Sequence, residues 1–466
     1  MLFNKFEYLF FFLPIVFIFF FFSKKKNAKI ILILSSIFFY AWWNINYLYL
    51  IFVSIFFNYL IYKLFIIFKF HKKKFLLIGI IINIFLLVVF KYIDFLIENY
   101  NYIFSSDIKK LNLPFPLAIS FFTFQQIAFL VDAYDKEIKN FKFINYFLFI
   151  FFFPQLIAGP ICKYNNISNQ FEKKKFTYLN LNNISAGIFV LLIGLFKKVV
   201  IADNLAIISS IGFSDVYNLN VFDAWITLIC FTFQFYFDFS GYVDMATGSA
   251  LIFNIKLPVN FDSPFKAKSI KEFWQRWHIT LTNFLTFYIY VPLLRSFGQV
   301  SVFSTSFVTI FVFFIAGIWH GPSWNFVFFG LMHGVAIVFN NFFSFKNILN
   351  NRIRWLLTFI YVSFSFVFFR SSSLQDAIQV FKSLFGFSDL TGHFEISYIF
   401  DVYSYPFFRA IILIIVSFYI CIKKNNSNMI LETFKPSKKN LIFSITGFIL
   451  SLWFMTSSVE FLYFKF

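Results

Sequence analysis

The sequence predicts an all-α polytopic integral membrane protein with roughly a dozen membrane helices, some short or re-entrant. Three observations carry that reading. Apolar runs recur along all 466 residues, each about 17–25 residues long, the length that crosses hydrocarbon. Only 13% of residues are charged against 60% hydrophobic, so no polar stretch remains for a separate soluble domain, and residues 1–466 are read as one membrane domain. Lysines gather in short loops such as Lys24-Lys25-Lys26 and Lys72-Lys73-Lys74, as cytoplasmic loops do.

Taken in order, the first run, Phe6 to Phe22, ends in lysines and has no small-residue cleavage site behind it, so it is read as a retained helix. A pair follows at about Ile30–Trp43 and Tyr47–Phe68, turning at Trp43-Asn44. Further spans are read near Phe75–Ile97, Pro116–Val131, Phe143–Ile157, Ile184–Ile201 and Phe222–Phe239. After these come Phe284–Leu294, Phe303–Trp319, Trp324–Phe339, Leu356–Phe369, Ala410–Ile422 and Leu441–Met455. Lysine-rich loops on both sides of Phe143–Ile161 break the alternation, and Pro154 and Gly159-Pro160 favour a re-entrant segment there over a weakly biased external loop. Ser269–Thr282 is read as an interfacial helix, with His278 one turn after Trp274 and on its face. Ser371–Phe385 reads as an amphipathic helix with Leu374, Ile378, Phe381 and Phe385 on one side.

The net charge of +19 would suggest nucleic acid in a soluble protein. With its lysines in short loops it is the charge bias of a membrane protein, and no nucleic-acid partner is expected. The 85 phenylalanines are read as lipid-facing filler and not as an aromatic conduit. Three widely spaced cysteines, Cys162, Cys230 and Cys421, give neither a disulfide framework nor a zinc site, and no metal is expected. Cys162 follows Gly159-Pro160, but nothing near it marks an activated nucleophile. There is no P-loop, dinucleotide fingerprint, HExxH or Gly-x-Ser-x-Gly elbow, which removes support from nucleotide-driven transport, redox chemistry and serine hydrolysis.

Chemistry points instead to Ile315-Ala316-Gly317-Ile318-Trp319-His320-Gly321-Pro322-Ser323-Trp324-Asn325. His320 lies between two apolar runs, where an ionisable group is costly unless it faces a protein interior or wet cavity. Gly321-Pro322 breaks the helix beside it and gives it room. Of the other histidines, His71 and His393 sit in polar loops and read as solvated, and His333 reads as a helix-packing residue held by a hydrogen bond. His278 is open between an active-site group and a structural interfacial histidine. Asp238, in Phe237-Asp238-Phe239-Ser240-Gly241-Tyr242, reads as a buried carboxylate that orients a histidine, balances Arg276 or forms a structural ion pair.

Phe273-Trp274-Gln275-Arg276-Trp277-His278-Ile279-Thr280-Leu281 and Trp319-His320-Gly321-Pro322-Ser323-Trp324-Asn325 resemble the two histidine motifs of the membrane-bound O-acyltransferase (MBOAT) family. The nearest branch is that of the bacterial alginate O-acetyltransferase membrane proteins. Phe90-Lys91-Tyr92, Pro116–Gln125, Pro154–Pro160, Gly194–Lys198, Tyr236–Tyr242 and the closing Phe461–Phe466 are similar to that branch too. One departure is Gln275, where the branch often has a basic residue.

The resemblance implies a ring of membrane helices around a central funnel, with His320 and His278 catalytic. Asp238, Arg276, Trp319, Asn325 and Ser323 are the expected supporting residues. It implies no bound cofactor, a cytoplasmic donor such as acetyl-CoA or another acyl thioester, and an extracytoplasmic acetyltransferase partner that esterifies an exported polysaccharide such as alginate or peptidoglycan. The place implied is the bacterial cytoplasmic (inner) membrane, as a multi-pass protein in contact with lipid. Neutral imidazole suits the base that takes the acceptor's proton, and Asn325, Ser323 or His278 is expected to steady the oxyanion. Two other readings stay open: D-alanyl transfer to teichoic acid from a carrier protein, and a proton-coupled transporter or flippase that makes no ester.

Overall fold

The computed structural model describes residues 1–138, 141–343, 348–387, 407–455 and 461–462. His393 and the last four residues of the closing Phe461–Phe466 motif lie outside these. The described residues are helical throughout, with no strand. Six helical stretches are long and apolar enough to cross a membrane: Ile45–Ile67, Lys69–Phe104, Leu181–Ser214, Val302–His320, Trp324–Phe342 and Asn351–Arg370. Glu7–Phe21 and Ala410–Lys423 are shorter apolar helices. The protein is a multi-pass membrane protein. Several runs read as spans are cut into shorter helical pieces, which is why fewer full-length crossings stand out than the sequence suggests.

The contacts divide the chain into two compact units, one of Met1–Ile193, Tyr242–Pro258 and Phe434–Ser444, the other of Gly194–Gly241, Val259–Thr433 and Ile445–Phe466. In the first, the helices Leu48–Ile67 and Lys72–Leu87 are joined by reciprocal amide bonds. Asn83 Nδ2 donates to Asn58 Oδ1 (2.7 Å) and Asn58 Nδ2 to Asn83 Oδ1 (3.2 Å), both side chains buried. Hydrocarbon offers these amides no partner, so pairing across helices is the stable choice. The run read as re-entrant holds a helix of only nine residues, Phe143–Phe151, about 13 Å at 1.5 Å per residue and too short to cross. It breaks at Phe152 and resumes for Phe153–Leu156, where Gln155 Nε2 donates back to Phe149 O. Cys162 is buried, donates to Pro160 O at 3.3 Å, and burial pushes its thiol pKa up, the reverse of activation.

At the edge of this unit Glu172 gathers Lys29 (2.5 Å), Lys142 (2.8 Å) and Asn145 Nδ2 (2.9 Å). Burial would raise its carboxyl pKa, but these donors outweigh burial and hold it at about 2.

In the second unit, Val302–His320 and Trp324–Phe342 form a tight antiparallel hairpin. Its first helix starts in a capping box, Ser301 Oγ accepting from Ser304 N (3.1 Å) and Ser304 Oγ from Ser301 N (2.8 Å). The helix stops at His320 because Gly321 is extended and Pro322 follows. The two backbones touch at Gly317 and Gly330: a Cβ on Gly317 would stand 2.2 Å from Phe326 O, and one on Gly330 2.2 Å from Phe313 O. Phe303, Phe307 and Phe311 run along the outer face, exposed, as lipid-facing filler should be.

The run read as a span at Phe222–Phe239 is part of a longer helix, Val221–Ile252, of which the stretch to Gly241 lies in this unit and is mostly buried. Asp238 there pairs with Lys198 (2.7 Å), which also pairs with Asp203 (2.7 Å).

Two local expectations need correction. Ser269–Thr282 is not one interfacial helix. It forms Ile270–Arg276 and, after a break, the start of Ile279–Leu285, with Phe273, Trp274, Trp277 and His278 all buried. Trp277 is extended and His278 left-handed, so His278 does not share a helical face with Trp274. Leu374–Leu384 is a helix, capped by Ser373, but it buries Ala377, Val380 and Leu384 and leaves Ile378 and Phe385 exposed.

Gly330→Val should therefore cost about 3 kcal/mol or more, because the backbone it strikes has no rotamer to yield. Gly447→Ala, whose Cβ would meet Phe196 Cδ2 only at 3.8 Å, should change little. Thermal melts of the detergent-purified protein compare the two. A second expectation follows from Glu172. Its depressed pKa contributes stability that is present above the unfolded carboxyl's 4.5 and is lost as pH falls toward about 2. Glu172→Gln should flatten the pH dependence of the melting temperature across that window.

Candidate active site

His320 is the last residue of its helix and is 3% exposed. Its ring is walled by aromatic faces: Trp319 (ring centroids 5.0 Å), Phe369 (5.1 Å), Phe329 (5.7 Å, edge-on) and Phe326 (6.4 Å). Phe326 is seated by Gly321, where a Cβ would stand 2.2 Å from its ring. The turn itself is tied by Gly321 N to Ile318 O (3.1 Å) and Ser323 N to Gly321 O (3.0 Å).

His278 reaches the same place from a different element. It is fully buried, at the break between two short helices, with φ 43° and ψ 51°. Phe239 packs edge-on to its ring at 4.9 Å, and Trp319 lies at 6.0 Å. The Trp319 indole thus borders both histidines. Asn260 Oδ1 lies 3.1 Å from His278 Nδ1. Burial depresses the ring's pKa to about 3, so the imidazole is neutral.

His333 is a packing residue, as the sequence suggested. Its Nε2 is 2.9 Å from Ser365 Oγ, and Ser365 Oγ donates to Val362 O (2.7 Å), so His333 Nε2–H must be the donor to Ser365. Phe329 stands between His333 (4.8 Å) and His320 (5.7 Å). His71 is exposed, at the end of a helical turn, Lys69–His71, and not in a loop.

The supporting residues divide. Trp319 lies at the centre of the site. Asn325 Nδ2 donates to Ser371 O (2.7 Å), which anchors its amide to the far end of the Asn351–Arg370 helix. That bond uses one of the two amide hydrogens and leaves the other to donate. Ser323 precedes the Trp324–Phe342 helix without capping it through its side chain and is half-buried. Arg276 donates to Glu272 Oε1 (3.1 Å) and to Asp262 O (3.1 Å), a clamp on the loop that carries His278. Asp238 neither balances Arg276 nor orients a histidine. One oxygen faces Lys198, and the other accepts from Leu462 N (2.9 Å). Asn260, Phe329 and Phe369 were not singled out as site residues in the sequence, since nothing local marks them and only tertiary packing places them here. Phe239 was quoted only as part of the motif around Asp238.

Beside this site a cavity of about 900 Å³ opens between the Ile270–Arg276 helix and the helices Trp324–Phe342 and Asn351–Arg370. Lys268, Lys271, Gln275, Asn340, Arg354 and Tyr361 are among its lining residues. The Tyr361 ring touches His333 (6.0 Å), so the cavity wall and the histidine cluster share a partition. Among the described residues, no three of His, Cys, Asp and Glu converge as metal ligands.

Comparison with known proteins identifies the family. Residues 103–375 match the MBOAT, membrane-bound O-acyltransferase family. The chain is 40% identical to the peptidoglycan O-acetyltransferase of Helicobacter pylori, over 91% of this chain and 89% of that protein. It is 33% identical to the probable alginate O-acetylase AlgI of Pseudomonas syringae, over 84% and 76% respectively. The teichoic acid D-alanyltransferase of Bacillus subtilis is 27% identical over 54% of this chain and 68% of its own length. With both histidine motifs inside the matched span and their side chains packed on one indole, the chain belongs to the membrane-bound O-acyltransferase family and is an acyltransferase.

Proposed function

We propose that this protein takes an acetyl group from an acyl thioester on the cytoplasmic side of the bacterial inner membrane and passes it across for O-acetylation of peptidoglycan. An extracytoplasmic acetyltransferase partner completes the transfer. The observation that carries the reading is the pair of buried histidines on Trp319, in a chain 40% identical along most of its length to a peptidoglycan O-acetyltransferase. The weaker likeness to alginate O-acetylases leaves alginate as the second acceptor. In this reading about a dozen helices, several too short to cross alone, surround a funnel that holds the two histidines.

His320, as the neutral imidazole this reading requires, takes the proton of a hydroxyl that receives the acetyl group for passage across the membrane, as that oxygen attacks the thioester carbonyl carbon. The carbon–sulfur bond then breaks, and the thiolate leaves with the proton that His320 held. The partner then moves the acetyl group on to peptidoglycan. Aromatic walls exclude water, so the acetyl group meets the acceptor and is not hydrolysed. The cavity carries Lys268, Lys271 and Arg354, a charge pattern suited to a phosphate-bearing thioester such as acetyl-CoA. Glu272, the carboxylate on its wall, is held by Arg276. D-alanyl transfer to teichoic acid is the second reading, favoured only by the shorter and weaker likeness to a D-alanyltransferase.

His320→Ala, expressed at wild-type level, should lower acetyl transfer by about 10²–10⁴-fold. Base-labile acetate is measured in sacculi and in separated exopolysaccharide from cells lacking the protein or carrying either form. Acetate that returns to sacculi with wild type alone supports the proposal, and its return to exopolysaccharide alone moves the acceptor to alginate-type polymers. Ester-linked D-alanine in its place would select the second reading. Reversing the cavity's charge with Lys268→Glu and Lys271→Glu together should raise KM for acetyl-CoA on the order of tenfold, at about 0.7 kcal/mol for each exposed pair, with kcat little changed. Steady-state kinetics with the purified protein read both constants.

A further inference from the structure

Asn260 is tied to the His278 turn more tightly than a loop clamp requires. Its Oδ1 accepts from Thr280 N (3.1 Å) and Thr280 Oγ1 (2.8 Å), and it lies 3.1 Å from His278 Nδ1. Its backbone carbonyl accepts from Ile279 N (2.9 Å). The Thr280 amide can only donate, so the Asn260 atom facing it is the oxygen, and chemistry fixes the amide's orientation. An amide oxygen can only accept. The hydrogen between Asn260 and His278 is therefore on His278 Nδ1. A neutral imidazole has one N–H, so the lone pair is on Nε2. That atom is buried and has no hydrogen-bond partner among the described residues.

Position matters as much as tautomer. A non-glycine residue in the left-handed region is strained and persists only when its surroundings hold it there. The bonds from Asn260 to both residues after His278, and the bond from Asp262 N to Arg276 O (2.9 Å), supply that hold.

We propose that Asn260 is a positioning residue for acyl transfer, locking His278 in the Nδ1–H tautomer so that the Nε2 lone pair accepts a hydrogen bond from the attacking hydroxyl before His320 takes its proton. This rests on the reading that His278 acts in the reaction. The alternative is a purely structural role, in which Asn260 only shapes the turn.

A carboxylate separates the two. Asp at position 260 keeps an acceptor for all three hydrogens, but its charge favours the imidazolium and raises the pH at which the Nε2 lone pair becomes free. Other titratable groups on the elements packed around the ring are engaged. Asp238, beside Phe239, pairs with Lys198. Asp262 and Glu272 pair with Arg276. His320 lies beyond Trp319 and is kept in every variant.

Acetyl-CoA turnover by the full chain in lipid nanodiscs is measured from pH 5 to 9 for wild type, Asn260→Asp, Asn260→Ala and His278→Ala (range set by the histidine region). The expected result has three parts. Asn260→Asp raises the His278 limb from about 3 by about three pH units, which brings into the measured range an acid limb that wild type does not show there, and regains turnover at alkaline pH. Asn260→Ala lowers kcat by about tenfold or more, with KM within about twofold. His278→Ala is inactive.

Should His278→Ala be inactive while folded Asn260→Asp keeps the wild-type profile, or loses turnover equally at every pH, Asn260 is structural and the proposal falls. Near-wild-type turnover by His278→Ala would instead remove the role of His278 itself. Asn260→Asp is isosteric, so it answers the question even where Asn260→Ala does not yield folded protein.

Discussion

The backbone contact between Gly317 and Gly330 is the constraint on which the site depends. Helices in hydrocarbon gain nothing by hiding apolar surface from lipid, so close approach and matched shape hold them together. Two glycines at one crossing let the hairpin close until the carbonyl oxygens of Phe326 and Phe313 occupy the space of the missing side chains. His320 comes three residues after Gly317, and His333 three residues after Gly330, near one turn of helix in each case. Phe329, next to Gly330, fills the space between the two rings. The crossing thus sets the depth of His320, and the break at Gly321-Pro322 leaves the ring at the helix end instead of against lipid.

What the sequence made legible follows the same physics. Apolar length identified the class, because length against bilayer thickness is a local property. His320 stood out because a titratable group in an apolar run is costly unless a protein interior or cavity receives it. The helix does end at that residue. The partners of the charged residues were not legible. Nothing near Asp238 announces Lys198, forty residues earlier on another helical stretch, or the backbone of Leu462 near the chain's end. The break at Trp277-His278 was hidden for another reason. Trp274 and His278 have helical spacing, and only tertiary bonds from Asn260 and Asp262 override that local tendency. Apolar length alone also does not show where a run is cut, since Phe152-Phe153-Pro154 divides one into pieces that no hydropathy window separates.

The three groups Lys198, Asp203 and Asp238 show why a buried charge is not by itself a sign of chemistry. Each would be prohibitive alone in a low-dielectric interior, and removing one partner of such a set costs about 3–5 kcal/mol. Together they satisfy one another, with Leu462 N–H completing Asp238. The same holds for Arg276, committed to Glu272 and Asp262.

With its neighbouring charges engaged elsewhere, the histidine pair sits among aromatic faces. In such a place a charged group would have little water to solvate it. A fixed carboxylate beside His278 would hold the ring protonated and remove its lone pair. A neutral amide can orient the ring without supplying that charge. Low dielectric also strengthens each hydrogen bond and penalises each misplaced proton, so which nitrogen carries hydrogen matters more here than in water. A neutral oxygen that accepts three hydrogens at once answers that constraint: it holds the ring in place, selects its tautomer and leaves its basicity to the surrounding aromatic wall.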